Sequence, residues 1–510
     1  MPNLPDEIWL YIFVQLEDYM PLKDWITYGS ELKHEGPAAL RNVSLVCRRF
    51  QRIAQPLLYR TILLEGRDAE ETHQTLLLRT IVENPQFGEQ VRIASFDDNT
   101  GYTWDITEGL VEGGVRSLLL KGLGTLDLPP AVAEHQRKCV YSRYEASFAA
   151  LIVAYMPQLQ FLDYTLWGDK GPLPWMLSGS LGLEEKILQN LEIDSHVDDG
   201  SMDHEDNDED GKQQLQSIPK DTFANYGLPH LTEVRIRTRN SLNGSTPAWV
   251  IEPILLNPTL KTLRTLGIDW STGEIEHLKW PNHETNLEHL DLKESIIDAA
   301  GLKSVLTHCP KLKGVSIELA EVNRECQPGQ DWEVDLDHFR DVLQKYGRGL
   351  EEFDLLTVEY SSNHSVGGGR LGPLRELSKL RHLKVIKAEL LDDMALSREE
   401  RHLTLGEALP LSLETLYLHC DGRFSGGESY KVKRRSMNEA VYDFILENKL
   451  PNLREIKIER LCNESGRRGI EWPVEFKMDG WEVDVYDENL WKRFYDSGVM
   501  RTIVRLSRKL

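Results

Sequence analysis

One short pattern recurs along most of the chain and constrains its fold more than any other feature. The pattern is L-x-x-L-x-L, with Leu, Val, Ile, Phe or Tyr in each apolar slot, and eleven copies lie between residues 115 and 458. Its alternation of apolar and polar residues is typical of a short strand with one buried face. One such unit cannot bury its apolar face alone, so successive units must stack. The second slots hold Leu118, Leu162, Leu191, Val234, Leu266, Leu290, Val315, Phe353, Leu383, Leu416 and Ile456.

Prolines and helical segments separate these strands. A proline two residues before the first slot stops a preceding helix and favours an extended entry into the strand. Such prolines are Pro157, Pro229, Pro310 and Pro451. Helical patterns precede several copies, over residues 144–155, 299–308, 336–346 and 438–448. The fold class predicted from these units is α/β, a solenoid of parallel strands and helices.

The array resembles an irregular leucine-rich repeat. Successive second slots lie from 24 residues (Leu266 to Leu290) to 44 residues (Leu118 to Leu162) apart, a wider spacing than the roughly 20–29 residues of regular repeats. The Asn or Cys that the family carries at its ninth position is missing, so we expect no ladder of Asn side chains. Near residue 263 the frame is ambiguous, because Leu260 also fits the first slot.

The N-terminal segment predicts a helix with too much apolar surface for a free monomer. Pro5 suits a first helical turn, and the acids at positions 6 and 7 face the positive end of the helix dipole. Ile8, Ile12 and Leu16 follow at four-residue spacing among other apolar side chains, whereas a surface helix normally shows one apolar stripe. The excess indicates burial against a second protein, with burial inside this chain as the alternative. A polar insert over residues 17–36 precedes a second helical pattern over 37–56.

These helices resemble an F-box. That family's motif runs L-P-x-E-I-x-x-x-I-x-x-x-L, then a variable gap, then S-L-V-C-[KR]-x-[FW] and P-x-L-[YW]. The matching positions are Leu4, Pro5, Glu7, Ile8, Ile12, Leu16, Ser44, Val46, Cys47, Arg48, Phe50, Pro56, Leu58 and Tyr59. The resemblance implies an all-helical F-box domain over residues 1–60 and a repeat array over 61–510. The array is expected to contain a disordered acidic loop near 195–215 and an aromatic C-terminal cap.

The resemblance also implies a function. It is that of an F-box protein with leucine-rich repeats, of a type common in fungi, which serves as the substrate-recognition subunit of an SCF-type (Skp–cullin–F-box) ubiquitin ligase. Such a subunit binds the Skp adaptor, and through it cullin, and holds a substrate protein without covalent chemistry of its own. The residues expected to contact the adaptor, directly or by holding the helices in place, are Leu4, Pro5, Ile8, Ile12, Leu45, Val46 and Phe50. A repeat scaffold outside any ubiquitin ligase stays open as the alternative.

The residues between the apolar slots point to the other face of the predicted sheet, because strand side chains alternate. We expect substrate contacts among the long cationic and aromatic residues of this row, since Arg and Tyr are frequent at binding hot spots. The candidates are Arg235, Arg237, Lys384, Tyr417 and Lys457. An ordinary solvated sheet face is the alternative for each of them.

No motif in the sequence indicates catalysis, a cofactor or a metal. The segment 206–211 begins like a calcium loop, but position twelve is Ser217 where the loop requires Glu. Gly367 to Gly369 lack the Lys and Ser or Thr of a phosphate-binding loop. We therefore predict no catalytic residue, no metal site and no cofactor, while an enzyme with an unrecognised site stays open.

Charge and cysteine usage limit the partners and the compartment. The net charge of −23 disfavours nucleic acid and anionic membranes, which require basic surfaces. The six Cys are scattered and form no C-x-x-C pair, and the sequence shows no signal peptide or apolar run of membrane length. These features predict an intracellular protein of the cytoplasm or nucleus. The basic tail over 501–510 is expected to be a solvated last helix, with a docking site for an acidic partner as the alternative.

Overall fold

In the computed structural model, three N-terminal helices precede a long sheet. The residues that the structure describes are 4–17, 35–65, 70–97, 116–126, 130–141, 146–166, 228–238, 246–255, 257–275, 285–319, 333–357, 365–366, 369–391, 403–419, 443–461, 480–490 and 499–509. Two hydrophobic clusters form within these ranges, a small one among the first three helices and a large one along the sheet. The acidic segment near 195–215 lies outside the described residues.

The N-terminal helices are α1 (Asp6–Val14), α2 (Glu35–Ser44) and α3 (Arg48–Leu58). The pattern over 37–56 predicts one helix, but the structure has two helices there. The break occurs at Cys47, whose backbone is extended at φ −163° and ψ 163° and whose Sγ accepts a hydrogen bond from the Phe50 N–H. A residue with this conformation caps a new helix and cannot continue the previous one.

Fifteen strands of the described residues form one sheet in the order β1-β2-β3-β4-β6-β8-β9-β11-β13-β14-β15-β17-β16, with β5 and β7 to one side. Strands β1 to β15 on this path pair in parallel, and β17 pairs antiparallel with both neighbours. The seventeen strands of the described residues are β1 (Thr61–Glu65), β2 (Ile93–Asp97), β3 (Phe161–Leu166), β4 (Glu233–Thr238), β5 (Thr246–Pro247), β6 (Thr262–Leu266), β7 (Ile268–Trp270), β8 (His289–Ile297), β9 (Gly314–Leu319), β10 (Glu333–Val334), β11 (Glu352–Leu356), β12 (Ser365–Val366), β13 (His382–Ile386), β14 (Thr415–His419), β15 (Glu455–Leu461), β16 (Trp481–Leu490) and β17 (Val499–Arg508). The two outside the large sheet, β10 and β12, pair with each other. A sheet whose spatial order follows the sequence, with helices between strands, is consistent with a leucine-rich-repeat solenoid, and the predicted fold class is confirmed.

Helices lie between the strands along the chain. They are α4 (Glu70–Glu83), α5 (Pro85–Gly88), α6 (Arg116–Thr125), α7 (Pro130–Tyr141), α8 (Ala146–Ala154), α9 (Glu252–Leu255), α10 (Thr272–Ile275), α11 (Ala299–His308), α12 (Leu336–Tyr346), α13 (Lys387–Leu391) and α14 (Leu405–Ala408), with a 3₁₀ turn at Ala248–Ile251. The helices predicted over 299–308 and 336–346 have these bounds in the structure. Asp298 and Asp335 cap them by accepting backbone N–H groups of the first turn.

Backbone hydrogen bonds connect one repeat to the next where each strand begins. The carbonyl of Lys261, for example, accepts the N–H groups of Glu288 and His289 at 2.8 and 2.9 Å. The first apolar slot closes the preceding turn, as in the Leu231 N–H to Leu228 carbonyl bond of 2.9 Å that spans Pro229. Proline is favoured at the second position of such a β-turn, which is the position that Pro229 occupies.

Charged residues alternate in sign along this edge of the sheet. The residue before each of seven successive strands on the path is Lys261, Glu288, Lys313, Glu351, Arg381, Glu414 and Arg454. Glu288 lies between two lysines, 3.4 Å from the Lys261 Nζ and 2.6 Å from the Lys313 Nζ. Its hydrogen bond raises the pKa of Lys313. Ion pairs and shared carbonyls therefore connect neighbouring repeats at Lys261, Glu288 and Lys313.

Two copies of the repeat pattern differ from the predicted strands. Leu118 lies in α6, where Leu119 and Leu123 face the core at helical spacing; the L-x-x-L part of the pattern also fits one helix face, so it did not identify a strand. The second copy is the one with the ambiguous frame near residue 263. There Val234 pairs with Leu263 and Ile236 with Thr265, so the correct first slot is Leu260. The copy centred on Leu191 lies outside the described residues.

The C-terminal tail is a strand, and the predicted solvated last helix is wrong. Val504 and Leu506 are buried against the core, whereas Arg505 between them is exposed. This period of two matches a strand, and β17 inserts between β15 and β16. Trp481 of the predicted aromatic cap is buried at the start of β16, whereas Trp472 and Trp491 lie outside the described residues.

Candidate functional site

Three aromatic side chains form the centre of the N-terminal helical group. The ring of Trp9 lies 4.6 Å from that of Phe50 and 5.7 Å from that of Phe13, and Phe13 and Phe50 meet edge to face at 5.2 Å. Phe13 and Phe50 are buried together with Leu40, Ile53, Ala54 and Leu57. This small core fixes α1 against α3 and thereby determines which side chains remain outside.

Charged groups hold the start of α1 on α3. The Asp6 carboxylate accepts hydrogen bonds from the Arg49 Nε and the Arg52 Nη2, both at 2.6 Å, and Arg49 also donates to the Leu4 carbonyl. The hydrogen bond from Arg49 is the largest influence on Asp6 and holds its pKa below the ordinary value. The LPDE segment thus has a fixed position relative to α3, which the sequence pattern alone does not reveal.

Apolar side chains on the outside of these helices form the first candidate site. Six of the ten large apolar side chains that are exposed among the described residues lie within positions 8–46, with exposed fractions between 40% and 74%. We call these six residues the apolar patch. They are Ile8, Leu10, Tyr11, Ile12, Leu45 and Val46. So much exposed apolar surface on a small domain is typical of a protein-binding site.

The seven predicted adaptor contacts divide into two groups in the structure. Ile8, Ile12, Leu45 and Val46 belong to the apolar patch, and Pro5 is also exposed at the start of α1. Leu4 is half-buried, and Phe50 is buried in the small core, where it can act only by fixing the helices. Leu10 and Tyr11 are patch members that the prediction missed, although the all-round apolar character of α1 was the signal that could have found them.

The second candidate site is the polar face of the sheet, defined as the face opposite the large hydrophobic cluster. Two of its five predicted contact residues are buried, and their expected exposure is wrong. Arg237 donates to the Asp163 Oδ1 at 2.7 Å from its Nη2. Arg235 is fully buried, with its guanidinium 4.7 Å from the centre of the Phe161 ring and its Nε 3.2 Å from the Glu233 Oε1. Burial lowers the pKa of Arg235.

The other three predicted residues lie side by side. The Cα atoms of Lys384 and Tyr417 pair across β13 and β14, and those of Tyr417 and Lys457 pair across β14 and β15. Lys384 is exposed, and the other two are half-buried. The tertiary structure therefore brings together the residues of the C-terminal repeats and separates them from Arg235 and Arg237.

A buried histidine connects the strands beside this row. The His419 Nε2 lies 3.2 Å from the Asp354 Oδ1, and its Nδ1 lies 3.1 Å from the Glu459 Oε1, which also accepts the Tyr417 hydroxyl at 2.8 Å. Burial disfavours the imidazolium, but the hydrogen bonds to the two carboxylates outweigh it and raise the pKa of His419 to about 9. His419 is therefore charged at neutral pH and bridges β11, β14 and β15.

The described residues contain no group of three or more His, Cys, Asp or Glu that could hold a metal ion. Among the same residues, no helix combines the length and apolar character needed to cross a bilayer. The geometry described so far thus consists of an exposed apolar patch on a small helical domain and a charged sheet face.

Comparison with known families identifies the first of these elements. Residues 1–65 match the model of the F-box-like family. The chain has no significant match among curated proteins. The protein therefore has an F-box-like domain at its N-terminus, followed by a long, mostly parallel sheet that is consistent with leucine-rich repeats.

Proposed function

We propose that this protein is the substrate-recognition subunit of an SCF-type ubiquitin ligase. The observation that carries the proposal is the apolar patch, which lies on a domain that matches the F-box-like family. The patch residues Ile8, Ile12, Leu45 and Val46 bind the Skp adaptor, which in turn binds cullin. Phe50 supports these contacts from within the domain.

The repeat array holds the substrate protein through its polar face. Lys384, Tyr417 and Lys457 are the accessible candidates for this contact. No catalytic residue is required in this chain, because the ligase gains rate by proximity: holding substrate and ubiquitin donor in one assembly makes transfer effectively intramolecular. The setting is intracellular, in the cytoplasm or nucleus, and the domain combination is of the fungal type.

The junction between the two parts supports this mechanism. The helix α3 ends at Leu58, and β1 begins at Thr61. The ring of Tyr59 stacks on that of Phe87 at 4.4 Å with an interplanar angle of 6°, so the end of the F-box packs against the first repeat. A junction without a flexible linker helps to orient a bound substrate towards the ubiquitin donor.

The test is co-purification of the full chain with its Skp adaptor, with the dissociation constant measured for the wild type and for Ile8→Asp. Ile8 is 45% exposed, so aspartate is tolerated in the free protein. In the complex it would bury an unpaired carboxylate and abolish binding. Leu411→Asp is the matched control, since Leu411 is an exposed leucine in the repeats and its substitution should leave adaptor binding unchanged.

Pro5→Ala gives a milder test of the same surface. Pro5 is exposed, and its carbonyl accepts the N–H groups of Ile8 and Trp9 in the first turn of α1. Loss of the ring should weaken adaptor binding without unfolding the domain. No adaptor binding by the well-folded wild type would refute the proposal. Adaptor binding without recruitment of cullin would favour the scaffold outside any ligase.

A further inference from the structure

We infer that the substrate segment recognised by the C-terminal repeats is acidic; this inference rests on the proposed function of the repeats. The site is a basic row formed by Lys384, Tyr417, Lys457 and Arg505. Arg505 comes from the C-terminal tail, and the antiparallel insertion of β17 pairs its Cα with that of Lys457. The row therefore crosses β13, β14, β15 and β17 in register.

The accessible charge of the row is positive. Its cations each form an ion pair with a carboxylate: Lys384 with Asp354 at 3.5 Å, Lys457 with Glu455 at 3.3 Å and Arg505 with Glu455 at 2.6 Å. In all three pairs the cation is the more exposed partner, at 33–53% against 19–21% for the carboxylates. At each of these three pairs, a partner that approaches the sheet thus meets the ammonium or guanidinium group first.

The charges around the row limit which anion fits. Beside the row, His419 adds a buried positive charge and Glu459 a buried negative charge. The exposed Asp484 lies at the end of the row, where its Cα pairs with that of Arg505. Carboxylates therefore border the cations, and the whole chain carries −23. This mixed field repels a continuous polyanion such as nucleic acid, whereas a short acidic peptide can place individual carboxylates beside individual cations.

The dimensions of the row define the length of the segment. Neighbouring strands lie about 4.8 Å apart, so Lys384 and Arg505, three strands apart, are separated by about 14 Å. An extended chain rises about 3.3 Å per residue, so about five residues span that distance. Tyr417 provides an aromatic surface in the middle of the row and donates its hydroxyl to Glu459.

The experiment uses the full chain bound to its Skp adaptor and two fluorescent peptides. One contains three glutamates alternating with serine over five positions, flanked by Gly and Ser, and the other contains three glutamines in the same places. We expect the glutamate peptide to bind measurably by fluorescence anisotropy and to weaken as salt is raised, and the glutamine peptide not to bind. The triple variant K384Q/K457Q/R505Q should lose at least tenfold in affinity for the glutamate peptide.

The matched control is K121Q/K138Q/K379Q, which removes the same charge from three exposed lysines outside the row and should retain the wild-type affinity. Equal binding of the two peptides, an equal loss in both triple variants, or tighter binding of a twelve-nucleotide single-stranded DNA would overturn the inference. Adaptor co-purification reads out the F-box independently. A chain that binds the adaptor but not the glutamate peptide refutes only the inference that the recognised segment is acidic. A chain that binds the glutamate peptide but not the adaptor refutes the ligase role.

Discussion

Leu45 offers the sharpest test of how the F-box presents its apolar patch. Leu45 is 74% exposed in the loop between α2 and α3, so about three quarters of its surface is free to be buried by a partner. Leu45→Ala removes three carbon atoms, each worth about 0.8 kcal/mol on transfer from water. Scaled by the exposed fraction of 74%, the loss is about 1.8 kcal/mol, or about twentyfold in the dissociation constant for the Skp adaptor.

The same substitution should leave folding unchanged, because Leu45 makes little contact inside the chain. Phe50→Ala is the contrast: its ring is 8% exposed and packs on Trp9 and Phe13, so its removal should cost about 3–5 kcal/mol of F-box stability. Isothermal titration calorimetry gives the affinity, and thermal unfolding of each free variant gives the stability. The reasoning fails if Leu45→Ala lowers the unfolding temperature as much as Phe50→Ala, or if its affinity equals that of the wild type.

Two further predictions concern the repeats. The folded pKa of His419 is about 9, above its ordinary value of 6.5. The stabilisation from the charged imidazole is therefore complete below pH 6.5 and is lost as the pH rises through 9. The unfolding temperature of the wild type should fall across this window more than that of His419→Gln, and parallel pH profiles of the two proteins would contradict the assignment. A Cβ at Gly301 would lie 2.1 Å from the Trp270 carbonyl oxygen, so Gly301→Ala should destabilise the array by about 1–3 kcal/mol. Gly349→Ala is the control, because the nearest atom to a Cβ there is 3.7 Å away and the denaturation midpoint should change little.

Much of the repeat architecture was predictable because it depends on local spacing. The slots at Leu290 and Leu292, or at Leu416 and Leu418, lie two residues apart and are buried together, as a strand requires. The same local signal fails where two structures share it. The L-x-x-L spacing that ends at Leu118 fits a helix face as well as a strand. Only packing against α4 and α8 selects the helix.

The candidate binding surfaces were predictable in part. Four residues predicted from the motif, Ile8, Ile12, Leu45 and Val46, are exposed on the F-box-like domain, and their role as adaptor contacts stays a prediction. Exposure on the polar face was not predictable from alternation, since Arg235 and Lys384 occupy equivalent positions on their strands but are buried and exposed, respectively. Burial there depends on neighbouring strands, such as the one that brings Phe161 against the Arg235 guanidinium.

The sequence by itself determined that this chain has an F-box-like start and a stacked array of strands, because apolar spacing selects which face of each element is buried. Only the tertiary structure decided which distant polar residues become neighbours. Asp354, His419 and Glu459 meet because β11, β13, β14 and β15 pair in parallel register, and Arg505 joins Lys457 because the tail inserts as an antiparallel strand. Such contacts arise from strand pairing between remote segments, about which local periodicity carries no information.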